Sequence, residues 1–214
     1  MPLLLWTVSG LWMVARPIEE VRGEHLRAPA PAIVLPPDIT PPGLRGTPYK
    51  SLVVEARSGG PVWVATNSEG VATAADLSTG AWLPSLTREQ AVATARAAYL
   101  GKASVAGVRP TSADDPPVDL RRPRPTWRVE FADGARVYVD RDTGSVLALR
   151  TRQWRWFDFM WGLHIMDPGG REDTSHALLI AAAAVSLAAV LLGIVLLPLA
   201  NRWRGRRGSG QPIE

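Results

Sequence analysis

Two stretches of the chain are almost wholly apolar, one at its start and one near its end. The longer, Ala177 to Ala200, contains no charged side chain. About 20 apolar residues suffice to cross a hydrocarbon core of about 30 Å, and a helix satisfies its own backbone polar groups there. The pattern therefore predicts a transmembrane helix over residues 176–200. Ala182, Ser186, Ala189 and Gly193 recur along one side of it. That stripe reads either as a face for a second helix or as plain alanine richness. The shorter run, Pro2 to Ala15, lacks the basic leader and small-residue cleavage site of a signal peptide. Residues 1–16 are accordingly expected to be part of a first transmembrane helix whose start lies upstream, with Ser9 and Gly10 on its small face.

Between these runs the pattern changes twice. Pro29, Pro31, Pro36, Pro37, Pro41, Pro42 and Pro48 hold residues 17–49 as an extended connector. Beyond it, apolar and polar positions alternate as in strands, and two segments align without a gap: Pro61 to Arg88 and Pro125 to Arg152. Pro61 matches Pro125, Trp63 matches Trp127, Gly70 matches Gly134 and Asp76 matches Asp140. Thr79–Gly80 and Leu83 match Thr143–Gly144 and Leu147. An internal repeat of this kind constrains the architecture before any single element does.

Each copy predicts three short strands. In the second, Trp127, Val129 and Phe131 alternate with polar neighbours as in a half-buried strand. Asp133–Gly134 makes a tight hairpin, Val137 and Val139 face inward, and Asp142–Thr143–Gly144 turns into a last strand over 145–149. The apolar face of this meander needs a cover. Thr87 to Gln90 forms a capping box, and Ala91, Val92, Ala95, Ala98 and Tyr99 recur at helical spacing until Gly101. The expected class is thus α+β, an antiparallel meander with one helix over residues 87–152. The first copy, 50–86, lacks the helix and reads as a degenerate β unit.

Trp154, Trp156 and Trp161, with Arg150, Arg152 and Arg155, stand ahead of the long apolar run. Residues 153–167 therefore read as an amphipathic juxtamembrane segment, with Trp154, Arg155, Trp156 and Trp161 at the membrane interface. The alternative is a helix that covers the domain core. The formal charge of +4 comes almost wholly from arginine. Arg202, Arg204, Arg206 and Arg207 follow the long run at once. Positive flanks stay inside, so 201–214 is expected to be a basic cytoplasmic tail and the preceding domain to lie outside. This topology explains the arginine clusters, and nucleic acid is not an expected partner. With Cys 0, disulfides and thiolate metal sites are excluded.

No nucleotide loop, zincin helix or nucleophile elbow occurs. The outer ends of two membrane helices would lie in one plane, which would bring two polar groups together. These are Glu19, Glu20, Arg22, Glu24 and His25 on one side, and His164, Asp167, Arg171, Asp173 and His176 on the other. One reading is a cofactor site with His164 and His176 as ligands, haem being the candidate. The other is a juxtamembrane hydrogen-bond and ion-pair network, with no cofactor and no metal.

The helix from Thr87, the strands around Trp127 and Val137, the Asp-x-x-Thr-Gly turn and the following apolar helix resemble a membrane-anchored PepSY domain protein. Pro17 to His25 and Trp154 to Asp167 resemble the stretches flanking such domains. The resemblance implies a bacterial cytoplasmic membrane protein with its domain on the periplasmic side. It implies, first, a non-enzymatic binding or regulatory module for a peptide or a neighbouring membrane or periplasmic protein. A second reading is a subunit of a haem- or flavin-linked reductase associated with iron uptake, and a third is a protease inhibitor.

Overall fold

The computed structural model describes residues 2–44, 46 and 48–208, the side chains of 199–208 excepted. The arginine side chains of the expected basic tail, and residues 209–214, lie outside the described residues. The chain divides into two compact units: residues 17–156, and residues 1–16 together with 157–214. The described fold is α+β with two antiparallel sheets.

In the first unit a three-stranded sheet, ordered β1-β2-β3, comprises Tyr49–Glu55, Val62–Asn67 and Ala72–Asp76. A four-stranded sheet, ordered β4-β5-β6-β7, comprises Val105–Thr111, Thr126–Phe131, Arg136–Asp140 and Val146–Arg150. Helix α3 spans Arg88–Ala98 and begins at the expected capping box, with Thr87 accepting from Gln90 N–H and Gln90 accepting from Thr87 N–H. It lays Ala91 and Ala95 on Val129, Val137, Val139 and Leu149, all buried. That is the main core, and it uses the inward face expected from the alternation.

Two expectations are corrected here. In the first copy the strand expected after Asp76 does not form: one bridge, Ala75 to Trp82, and the backbone bonds of Asp76 N–H to Ala81 carbonyl and Leu83 N–H to Ala74 carbonyl continue the pairing. Pro84 has no N–H to extend it, and the chain turns toward the α3 cap instead. The second sheet is also not half-buried. Its other face carries Tyr138, Leu120 and Ala148 in a second cluster, with Thr126 and Asp140 fully buried. The segment before β5 crosses that face and bonds to several of its polar side chains. Tyr138 donates to Asp119 at 2.6 Å, Arg136 reaches the same carboxylate at 3.2 Å, and Arg150 donates to the Asp119 carbonyl at 2.8 Å.

Two pairs of positions aligned in the sequence are locally alike. Gly70 and Gly134 take φ of 88° and 83° at the hairpin turns, a region that only glycine enters freely. Trp63 and Trp127 each donate the indole N–H to a main-chain carbonyl, of Thr40 and Leu86 respectively, at 2.9 Å.

Helix α2, Ile18–Arg22, belongs to the same unit and is anchored by Val21, whose carbonyl accepts from Thr151 at 3.3 Å. Helix α4, Arg152–His164, runs from this unit into the second. The second unit contains α1, Pro2–Val14, and α5, Ala177–Gly208. Within α5, residues 177–198 form a helix long and apolar enough to cross a membrane. Helix α1 is apolar but shorter than a membrane span. Ala182 and Ser186 of the small-residue stripe are buried, while Ala189 and Gly193 are exposed.

Candidate functional site

Both sheets of the first unit end in strands with a free edge, β1 and β7. After β1 the chain leaves through Ala56, Arg57 and Ser58 into a turn. Ser58 ties that turn to α3 by donating to Thr94 at 3.1 Å. On the opposite side the β6–β7 turn brings Gly144 and Ser145 forward, and Ser145 donates to Glu55 at 2.6 Å. The third wall is the connector. Ala28 N–H donates to Ala98 carbonyl and Leu100 N–H to Leu26 carbonyl, both at 2.9 Å, so residues 26–28 fasten to the end of α3. Pro29 and Pro31 then continue extended, because proline fixes φ and removes a donor.

These segments enclose a groove of about 750 Å³. Its floor and sides are small or apolar: Pro29, Pro31, Ile33, Val54, Ala97 and Val146. Its polar side chains are few and localised. Glu55 is held by Ser145, and Thr94 by Ser58. Arg57 lies across the β6–β7 turn, its Nη1 donating to Thr143 carbonyl at 3.4 Å. Burial lowers the pKa of this guanidinium from its ordinary value. An apolar concavity with a few converging polar groups has the composition of a ligand site.

Sequence reasoning did not single out Glu55, Arg57, Ser58 or Thr94. They form no motif, and the one local signal is a pair of charges directly after the apolar Leu52 to Val54.

The residues that the sequence did single out fall in several places. Trp154 and Arg155 are engaged by the domain. The Trp154 ring faces Arg150 at 4.2 Å and Arg121 at 5.8 Å, and Arg155 Nη2 donates to Gly134 carbonyl at 2.8 Å. Burial, then the charge of Arg136, lowers the Arg155 pKa. Trp156 is exposed. In the second unit, Trp161 stacks beside His164 with centroids 6.4 Å apart.

Glu19, Glu20, Arg22, Glu24 and His25 are exposed around α2. Arg22 and Glu24 approach to 4.0 Å, a distance that contributes little in water. Asp167, in the second unit, organises its own loop by accepting N–H bonds from Gly170, Glu172 and Asp173 at 3.0, 3.1 and 3.3 Å. Those bonds, from Glu172 first, hold its pKa below the usual carboxylate range. Arg171 makes a 2.8 Å ion pair with the buried Asp158.

The two histidines proposed as ligands are both engaged by protein groups. His176 caps α5: its Nδ1 accepts Leu179 N–H at 3.3 Å, and its Nε2 lies 2.9 Å from Ile165 carbonyl. That pattern assigns the proton to Nε2 and occupies both nitrogens. His164 Nδ1 lies 2.9 Å from Ser9 Oγ, whose own proton goes to Leu5 carbonyl at 2.7 Å. Nδ1 therefore donates, and Trp6 holds the His164 carbonyl at 2.7 Å. A haem held by both imidazoles does not fit this arrangement, because His176 would have to give up the helix cap. Among the described residues no group of three or more His, Asp or Glu is placed to hold a metal ion.

Residues 85–150 match the family described as peptidase propeptide and YPEB domain, or PepSY. No curated protein and no solved structure matches the chain.

Proposed function

We propose, from the PepSY domain at residues 85–150, that the chain is a non-enzymatic binding and regulatory module of a bacterial cytoplasmic membrane. Its ligand is an extended segment of a neighbouring membrane or periplasmic polypeptide, held in the groove between β1 and β7. One observation carries this reading: the groove is bordered by the end of one edge strand, Val54 and Glu55 of β1, and by the start of another, Val146 of β7. Unpaired edges offer main-chain donors and acceptors to an added strand, and small apolar walls admit its side chains.

Helix α5 would be the anchor, and the arginines after it would keep the C-terminus inside and the domain on the outer side. The matched turns and tryptophans of the two sheets support descent from one repeated unit. The first copy would have lost its helix and kept its meander, and the groove then lies where that copy meets α3 of the complete one.

The test is retention of peptides from a tryptic digest of β-casein by the full chain in detergent, read by mass spectrometry. Retention is expected for the native chain and is lost in Ala97→Trp, which fills the groove from the exposed face of α3. Equal retention by a folded Ala97→Trp chain contradicts the reading.

A further inference from the structure

Resting on that reading, we propose that the groove selects a peptide carrying an acidic side chain, and that Arg57 receives it. Arg57 is the singular feature of the groove wall. A guanidinium offers five N–H donors in a planar fork, yet Arg57 makes one bond, to Thr143 carbonyl at the long distance of 3.4 Å. Among the described residues no carboxylate lies within ion-pair distance of it. The nearest candidate in sequence, Glu55, is turned to Ser145 at 2.6 Å. Arg57 is thus a partly buried cation whose neighbours satisfy one another and leave its fork open.

Desolvation disfavours the charged form of such a group, and a carboxylate ligand would compensate it with two parallel charge-assisted bonds. The immediate surroundings fit that geometry. The stem of Arg57 packs on the β6–β7 turn: a Cβ added at Gly144 would lie 3.3 Å from Arg57 Nη1 and 3.4 Å from Cδ. That contact sets the guanidinium beside the β6–β7 turn, on the groove wall. Arg27, exposed on the connector wall, adds a second positive charge to the same groove, against the one carboxylate of Glu55. The balance of charge favours an anionic guest. Ser58, Thr94 and Ser145 are bonded to protein groups and Pro29, Pro31, Ala97 and Val146 are apolar, so an extended peptide would present one acidic side chain among small apolar ones.

The experiment compares two fluorescein-labelled heptapeptides of Ala, Thr and Val, with blocked ends and a central Glu or Gln. Each is titrated into the full chain in detergent and read by fluorescence polarisation. The Glu peptide is expected to bind roughly tenfold tighter or more, the scale of one bond to a charged group. Arg57→Gln is expected to remove the difference by weakening the Glu peptide alone, with far-ultraviolet circular dichroism unchanged. Equal binding of both peptides by the native chain overturns the acid selection and leaves the groove reading standing. Binding of neither by folded protein overturns both.

Discussion

Asp76 and Asp140 close their turns in the same way, but only Asp140 is sealed inside the domain. Each Oδ1 accepts the backbone N–H two and three residues ahead, at 3.1 and 2.8 Å for Asp76 and at 2.9 Å twice for Asp140. Asp140 is fully buried, and its Oδ2 is gripped by Arg124 through Nη2 at 2.6 Å and Nε at 2.9 Å. Asp140→Asn is expected to destabilise the domain by about 2–3 kcal/mol. That is less than for a wholly buried pair, because Arg124 keeps part of its surface in water. Asp76→Asn is expected to shift the urea midpoint distinctly less. Tryptophan fluorescence during urea unfolding measures both, and equal shifts would contradict the unequal burial.

Tyr99 leaves no room beside Gly101. Its ring stacks on Phe131 with centroids 4.0 Å apart, and its hydroxyl is bonded to Asp133. A Cβ at Gly101 would collide with that ring, which is held from both ends and cannot withdraw. Gly101→Ala is expected to cost about 1–3 kcal/mol, as overpacking of a fixed core does. Gly107→Ala, where a Cβ meets open space, is the control and should be near neutral. The double variant Gly101→Ala with Tyr99→Leu should lose less than the two single changes added together.

The two core tyrosines set an alkaline signature. Burial first, then the hydrogen bond and charge of Asp133, push the Tyr99 pKa up to about 12. Burial and Asp119 push Tyr138 up further. In the unfolded chain both would ionise near about 10. A folded pKa above the unfolded one stabilises the fold fully below about pH 10, and that contribution is lost as pH rises through the folded value. Phenolate absorbance is the measurement. Tyr99→Phe and Tyr138→Phe should leave the native titration unchanged up to about pH 11, yet each should remove one phenolate formed near about pH 10 in denaturant. A missing native phenolate below that pH would contradict the burial.

Much of this was legible in the chain. The capping box at Thr87, the Asp133–Gly134 hairpin and the inward Val137 and Val139 each follow from local chemistry, and each stands where expected. Strand β4 was not legible, because Gly107 and Pro110 interrupt its pattern; an edge strand tolerates both, and β4 is an edge. The burial of the second sheet face was hidden too. Arg136, Tyr138 and Arg150 look like solvent-facing residues until Asp119, distant in sequence, is laid over them. The groove was invisible for the same reason. Glu55, Thr94 and Ser145 come from three separate segments, and tertiary folding alone brings them together.

Anchoring has its own test. Leu187 lies midway along residues 177–198 and is exposed. An arginine at the centre of a membrane helix costs about 2.5–3.5 kcal/mol on insertion scales. The native chain should stay with membranes through alkaline carbonate extraction, and Leu187→Arg should move a substantial fraction to the soluble phase. Complete extraction of the native chain would contradict a membrane role for α5.

The most direct test of the central claim is amide hydrogen exchange of the full chain with and without the Glu heptapeptide. Residues 54–58 and 144–146 border the groove, at the end of β1 and the start of β7, two different edge strands. Slowed exchange at both, with the β5–β6 hairpin unchanged, is the expected result. Protection elsewhere, or none with peptide bound, would contradict a ligand seated between β1 and β7.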